Sequence, residues 1–370
     1  MSDTAITEAV AKLIRQEVQA INAYHVPDPG DMIKLDAMEN PYHMPEELMA
    51  EWLGLIKSAE INRYPDPSAS KLSAVLKTYM GVPESISSGS GCENSIILGN
   101  GSDELIQIMA MAVAKPGRKI LAPEPGFVMY NMIATFTGLE YLGVPLKGDF
   151  SLDMPAMLDA IKTHQPALIF LAYPNNPTGN LFADNDIEKI LNVAEGLVVV
   201  DEAYHPFACT SFMSRLVEFD NLLVMRTVSK MGLAGLRLGL LAGPEKWISE
   251  FDKIRLPYNI NILTQVTAEF ALKHADVFEQ QAATIREQRE WLFNELSSFT
   301  QFDVFPSRAN FILLRVLEGD ASEIFEGLKK QGVLIKNSHS AGGVLTQCLR
   351  ITVGKPEENK LLIGALKKCL

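Results

Sequence analysis

From about residue 45 onward the chain repeats one alternation: a helical stretch, then a short apolar run closed by Gly, Pro or Asn. Six runs stand out, at 95–98, 119–121, 168–171, 197–200, 222–224 and 238–242. A strand with one face in water alternates polar and apolar residues, whereas these runs are apolar almost throughout. They suit a mainly parallel sheet covered by helices on both faces. The pattern therefore predicts a doubly wound α/β domain.

The ends of the chain read differently. Residues 5–24 predict an amphipathic helix, which Pro27, Pro29 and Gly30 end before an extended segment at 34–40. This arm has no core of its own and is expected to pack elsewhere on the molecule or on a partner subunit. A long helical stretch covers 260–298. Beyond it come a segment at 302–316, a helix near 321–331, strands at 333–336 and 349–353 and a final helix from 357, which together predict a compact α+β unit with a small sheet of its own. The expected division is an arm and part of the small domain at 1–45, a large domain at 46–280 and a small domain at 281–370, packed around one cleft.

Composition narrows the partners. The 370 residues are 47% apolar, enough for a sizeable core, and carry 33 basic and 45 acidic side chains for a net charge of −12. That balance disfavours nucleic acid or an anionic membrane and favours small molecules. With no long apolar run and no signal peptide the chain is expected to be soluble and cytoplasmic. Cys92, Cys209, Cys348 and Cys369 are too scattered for a disulfide framework and read mostly as buried free thiols. No His/Cys spacing suggests a metal.

Four loops carry candidate chemistry. In GNGSDE at 99–104 the glycines permit close backbone approach, and the N–H groups opening the next helix, with the Ser102 hydroxyl, make a cradle for phosphate. The same residues also make an ordinary turn with Ser102 as N-cap and Asp103 and Glu104 in the first helical turn. NNPTG at 175–179 forms a turn in any fold, but it follows a strand, where open α/β sheets bind ligands. Asp201 emerges from a buried strand and so either faces a cationic group or caps the next turn; Tyr204 offers a hydroxyl from the same loop. Lys230, in a small-residue, otherwise apolar loop, is poorly solvated, which lowers its pKa and makes the amine a usable nucleophile or base. Arg237 follows seven residues later with a planar fork for phosphate.

In this order, GNGSDE, NNPTG, DEAY and SK with GLAGLR resemble the signature of the fold-type I pyridoxal-phosphate aminotransferases, over essentially the entire chain. LDAMENP at 35–41, RYPD at 63–66, PGFVMY at 125–130 and CLRITVG at 348–354 resemble the histidinol-phosphate branch. The resemblance implies a seven-stranded, mainly parallel large sheet, pyridoxal 5′-phosphate as cofactor and a homodimer with shared active sites. It implies that Lys230 binds the cofactor covalently and shuttles a proton, and that Asp201 pairs with the ring nitrogen. Asn176 and Tyr204 would hold the ring oxygen and Phe127 would stack on the ring. The phosphate falls to Gly101, Ser102, Asp103, Ser229 and Arg237, with Tyr64 reaching in from the neighbouring subunit. Arg350 would grip the substrate carboxylate, with Tyr24, Asn40, Tyr64, Asn176 and Lys336 completing the substrate pocket.

The implied reaction exchanges the amine between L-histidinol phosphate and 2-oxoglutarate, or in reverse between L-glutamate and imidazole-acetol phosphate, in histidine biosynthesis. An aromatic or broad-range aminotransferase and a threonine-phosphate decarboxylase share the same apparatus. Three departures stand out: Met38 where asparagine is commoner, the short Lys230–Arg237 spacing, and Lys336 where arginine is frequent.

Overall fold

A computed structural model describes residues 3–23, 27–86 and 95–370, so Tyr24 and Cys92 lie outside the described residues. In chain order the strands are β1 (Ile33–Leu35), β2 (Ile96–Asn100), β3 (Lys119–Glu124), β4 (Glu140–Pro145), β5 (Leu168–Ala172), β6 (Leu197–Asp201), β7 (Leu222–Thr227), β8 (Leu238–Ala242), β9 (Phe302–Val304), β10 (Phe311–Val316), β11 (Val333–Asn337) and β12 (Cys348–Thr352).

Seven strands form one sheet in the order β2-β8-β7-β6-β5-β3-β4. All run the same way except β8, which is antiparallel to both its neighbours. The apolar runs are explained by what covers them. Along β5, Ile169 and Leu171 pack into one core while Leu168 and Phe170 pack into another, and along β6 Val198 and Val200 part in the same way from Leu197 and Val199. Edge strand β4 was not among the six runs, because its sequence EYLGVP is only partly covered and never becomes a continuous apolar stretch.

The reversed β8 has a further effect. It begins at the sheet edge where β7 ends, so the loop carrying Lys230 is held at both ends along the edge that also receives the ends of β2, β3, β5 and β6.

Strand β1 of the arm pairs in parallel with β11 in a second sheet, ordered β1-β11-β12-β10-β9. That sheet packs Leu35, Phe311, Ile335, Leu349 and Ile351 with Ile285, Leu292 and Leu296 of the helix Ala275–Ser297. The stretch expected as one helix at 260–298 is two, Ile262–Lys273 and Ala275–Ser297, parted at His274. The arm likewise holds a helix, Asp3–Leu13, and a short turn, Gln16–Gln19. Between them Arg15 is extended and donates to the carbonyls of Thr135 and Phe136, at the C-terminal end of the helix Met129–Thr137 where a cation is favoured.

Of the described cysteines Cys348 is buried, Cys369 is partly exposed and Cys209 is exposed. Among the described residues no helix is long and apolar enough to cross a membrane.

Beneath the site lies a buried ion pair. Arg226 of β7 donates from Nε to Glu202 at 2.8 Å, and from its other nitrogens to the Met80 carbonyl at 2.8 Å and Ser211 Oγ at 2.6 Å. Glu202 also accepts from the Phe212 amide and the Ser211 hydroxyl. Burial pushes the Glu202 carboxyl up and Arg226 opposes it. Arg226→Met leaves that carboxylate buried and unpaired, so unfolding in urea should show a loss of about 3–5 kcal/mol. Adding Glu202→Leu should recover most of the loss.

Candidate active site

The loops at the carboxyl edge of the large sheet close around a cavity of about 420 Å³, whose wall includes Ser102, Phe127, Asn176, Asp201, Tyr204, Ser229, Lys230 and Arg237. The segment Ala37, Met38 and Glu39 forms another side.

Asp201, the last residue of β6, has 4% of its surface exposed. The Tyr130 hydroxyl donates to its Oδ2 at 2.7 Å and the Ala203 amide to its Oδ1 at 3.1 Å. Burial pushes the carboxyl up to about 6, against the pull of these two donors. Among the described residues no lysine or arginine lies within ion-pair distance of it.

Lys230 sits on a π-helical turn, Ser229–Leu233, kinked at Gly232 with φ +126°. Its Nζ lies 3.4 Å from the Ala37 carbonyl and 5.7 Å from the centre of the Tyr204 ring. Burial, with Arg350 adding, brings the ammonium down to about 8.

The helix Gly101–Val113 presents its N-terminus at the far end of the cavity. Gly101 has φ +78°, and a Cβ there would fall 2.6 Å from Arg237 Nη2. A Cβ on Gly239 would meet the backbone of Gly101 and Ser102 at 2.7–2.9 Å. Only glycine at both positions lets helix, strand and guanidinium come this close. Arg237, itself left-handed at φ +48°, reaches Asp103 at 3.2 Å, and Ser229 Oγ lies 2.8 Å from Thr227 Oγ1. The opening turn of this helix, the Ser229 hydroxyl and the Arg237 guanidinium with its partner Asp103 thus line one part of the cavity, a set of donors that suits an anion.

On the outer side Arg350 of β12 is buried; its Nη1 donates to Asn176 Oδ1 at 2.7 Å and its Nη2 to the Asp36 carbonyl at 2.9 Å. Taking up Asn176 Oδ1 turns that amide's Nδ2 into the remaining donor. Lys336 pairs across the sheet with Arg350 but is exposed and outside the cavity wall. Asn40 is placed behind the lysine loop instead of in the wall, its amide donating to the Met231 carbonyl at 2.9 Å and to Gln281 at 3.0 Å. Tyr64 is 80% exposed and stacked on Tyr258, away from this cavity. Met38 stands where asparagine is the commoner residue. Its φ is +54°, a conformation asparagine tolerates well, and here two backbone bonds, to Thr352 Oγ1 and from Asn310 Nδ2, each 3.0 Å, hold it in place. Its sulfur accepts from the Tyr204 hydroxyl at 3.1 Å.

Comparison with known proteins places this geometry. The family described as aminotransferase class I and II matches residues 30–366. The chain is 52% identical over 360 residues to histidinol-phosphate aminotransferase 2 of Nitrosococcus oceani, covering 97% of this chain and 98% of that one. It belongs to the histidinol-phosphate aminotransferases of the class I and II family. Among solved structures, the histidinol-phosphate aminotransferase of Sinorhizobium meliloti in complex with pyridoxal 5′-phosphate superposes with a TM-score of 0.83 at 22% identity, covering 96% of this chain and 97% of that one. The L-threonine-O-3-phosphate decarboxylase of Porphyromonas gingivalis gives 0.77 at 23%, covering 91% and 99%. At these identities the two structures speak for the fold alone.

Aminotransferases of this family generally use pyridoxal 5′-phosphate, and the residues present fit it. The cradle that a Cβ on Gly101 would fill suits a phosphate, and the buried, cation-free carboxylate of Asp201 suits a protonated ring nitrogen. Two groups of this aminotransferase were not read as site residues from the sequence. Thr227, which supports Ser229, carries no signal of its own, and Tyr130 appeared only as the last residue of PGFVMY.

The raised carboxyl has a thermodynamic consequence. Without a cation the folded Asp201 holds its proton more tightly than the unfolded one, so its contribution is fully present below pH 4 and is lost as pH rises from about 4 through about 6. In cofactor-stripped protein, Asp201→Asn should therefore gain about 3 kcal/mol relative to wild type across that window, measured by denaturant unfolding at each pH. Parallel pH curves for the two proteins would contradict the assignment.

Proposed function

We propose that this aminotransferase exchanges the amino group between L-histidinol phosphate and 2-oxoglutarate, as a cytoplasmic homodimer using pyridoxal 5′-phosphate. The observation that carries the reading is one cavity lined by a lysine of lowered pKa, a buried carboxylate and the guanidinium of Arg237, with Arg350 bonded from behind to its wall residue Asn176. The choice of substrate is supported by the 52% identity to a histidinol-phosphate aminotransferase along nearly the whole chain. In this reading the site lies between a large domain at 46–280 and a small one at 281–370 that takes in the arm.

When bound, the cofactor supplies an electron sink for the charge left at the substrate Cα. Asp201 would keep the ring nitrogen protonated; Tyr130 and the Ala203 amide hold the carboxylate in place for that task. Gly101, Ser102, Asp103, Ser229 and Arg237 would hold the phosphate, Phe127 the ring face, and Asn176 Nδ2 with Tyr204 Oη the ring oxygen. The exposed Tyr64 would complete the partner's phosphate site. Lys230 Nζ, brought down to about 8 by burial, would give up its proton close to neutral pH and so would be the base that takes and hands on the proton of the substrate Cα. Arg350 would close its fork on the α-carboxylate of L-glutamate, and on an oxygen of the other substrate.

A single-turnover experiment tests the reading by following the bound aldehyde cofactor as it becomes the amine. Fast conversion is expected with L-histidinol phosphate and with L-glutamate, each added alone. Fastest conversion with L-phenylalanine would move the assignment to the aromatic aminotransferases, and carbon dioxide released from L-threonine phosphate would move it to the decarboxylases. Arg350→Lys keeps the charge but loses the fork, so kcat/KM for L-glutamate should fall about 10- to 100-fold in steady-state assays.

A further inference from the structure

Each polar group in the cavity wall has a task in the account above except one. Asp201 faces the ring site, and Asp103 is tied to Arg237. Glu39 is the remaining carboxylate in the wall, and its cation partner is Lys34 of β1, which is not part of that wall. The Lys34 Nζ lies 2.5 Å from Glu39 Oε2 and 3.4 Å from Asp36 Oδ1. The Glu39 side chain is 51% exposed, so it has room to turn.

The backbone beneath it cannot turn. Asp36 O is held by Arg350, the Met38 amide and carbonyl by Thr352 and Asn310, and the Asn40 side chain by Met231 and Gln281. A rigid peptide therefore presents one mobile carboxylate to the same cavity as Lys230. That is the arrangement of a selective acceptor: a fixed base of attachment, a short reach, and a resting partner that can be exchanged.

We propose that Glu39 determines specificity by accepting a hydrogen bond from the ring N–H of an imidazole-bearing phosphate substrate, with Lys34 as the resting partner that it leaves. The proposal rests on the substrate reading given above. A single pocket has to admit an imidazole in one half-reaction and a dicarboxylate in the other. With the imidazole bound, Glu39 turns to the ring N–H; with the dicarboxylate bound, it stays on Lys34, which masks its charge. A phenyl ring offers no N–H and gains nothing from the exchange.

The test uses holoenzyme and two unreactive probes lacking the amine, 3-(imidazol-4-yl)propyl phosphate and 3-phenylpropyl phosphate, with dissociation constants from calorimetry. Their shared phosphate cancels in the ratio. Wild type should favour the imidazole probe by about tenfold at pH 7, the preference rising as the pH falls to 6 and the ring gains its second N–H. Glu39→Ala should bring the ratio close to one and flatten its pH dependence, while Glu39→Gln, which keeps an acceptor oxygen but no charge, should lie between. An unchanged ratio in Glu39→Ala, or equal weakening of both probes, would overturn the proposal. If the bound cofactor converts with L-glutamate but not with L-histidinol phosphate, the substrate reading itself fails and takes this proposal with it.

Discussion

Ionising a carboxyl group inside a sheet whose strands are apolar on both faces costs several kcal/mol unless a cation or enough donors meet it. Asp201 is in that position, and the protein supplies it with a tyrosine hydroxyl and one amide but no positive charge. The carboxyl therefore sits near 6, each of its oxygens accepting one hydrogen bond. Much of the surrounding architecture follows from this. The aromatic group of Phe127, Tyr130 and Phe170 fixes the donor, with Tyr130 stacked on Phe170 at 4.6 Å and met edge-on by Phe127 at 5.5 Å. The cavity above leaves room for a cationic ring.

The lysine is controlled by different means. The reversal of β8 pins the loop at both ends, and the arm supplies the carbonyl of Ala37 nearest to Nζ. A short flexible loop would let the amine swing into solvent and recover its ordinary pKa. Here crowding and the nearby guanidiniums keep it low. The same packing carries a cost in tolerance, because the contact between Gly101 and Gly239 leaves no space for a single added carbon.

What the sequence made legible follows what forces a residue to declare itself. Central strands are covered on both sides and must be apolar throughout, so six of the seven strands of the large sheet could be read; β4, at the edge, had no such demand on it. The four motif loops converge because strand ends converge, and Asp201, Lys230, Phe127, Asn176, Tyr204, Ser229 and Arg237 do line one cavity. Tyr130 was harder to see, since a buried tyrosine packs like any core aromatic until its hydroxyl partner is known. Asn40 could not be placed from the sequence either: an amide beside the site looks like a ligand group, and in the structure its Nδ2 donates to the Met231 carbonyl and to Gln281. Tyr64 is 80% exposed and stacked on Tyr258, outside the cavity wall, so its place in the site could not be read from the chain alone.

Arg350 joins three parts of the molecule through one planar group. It is rooted in β12 of the small sheet, donates to Asn176 in a loop 174 residues away, and donates to the arm 314 residues away in sequence. The guanidinium carries five N–H groups and these two contacts use one each. Displacing any one of the three parts therefore pulls on the other two through a single side chain.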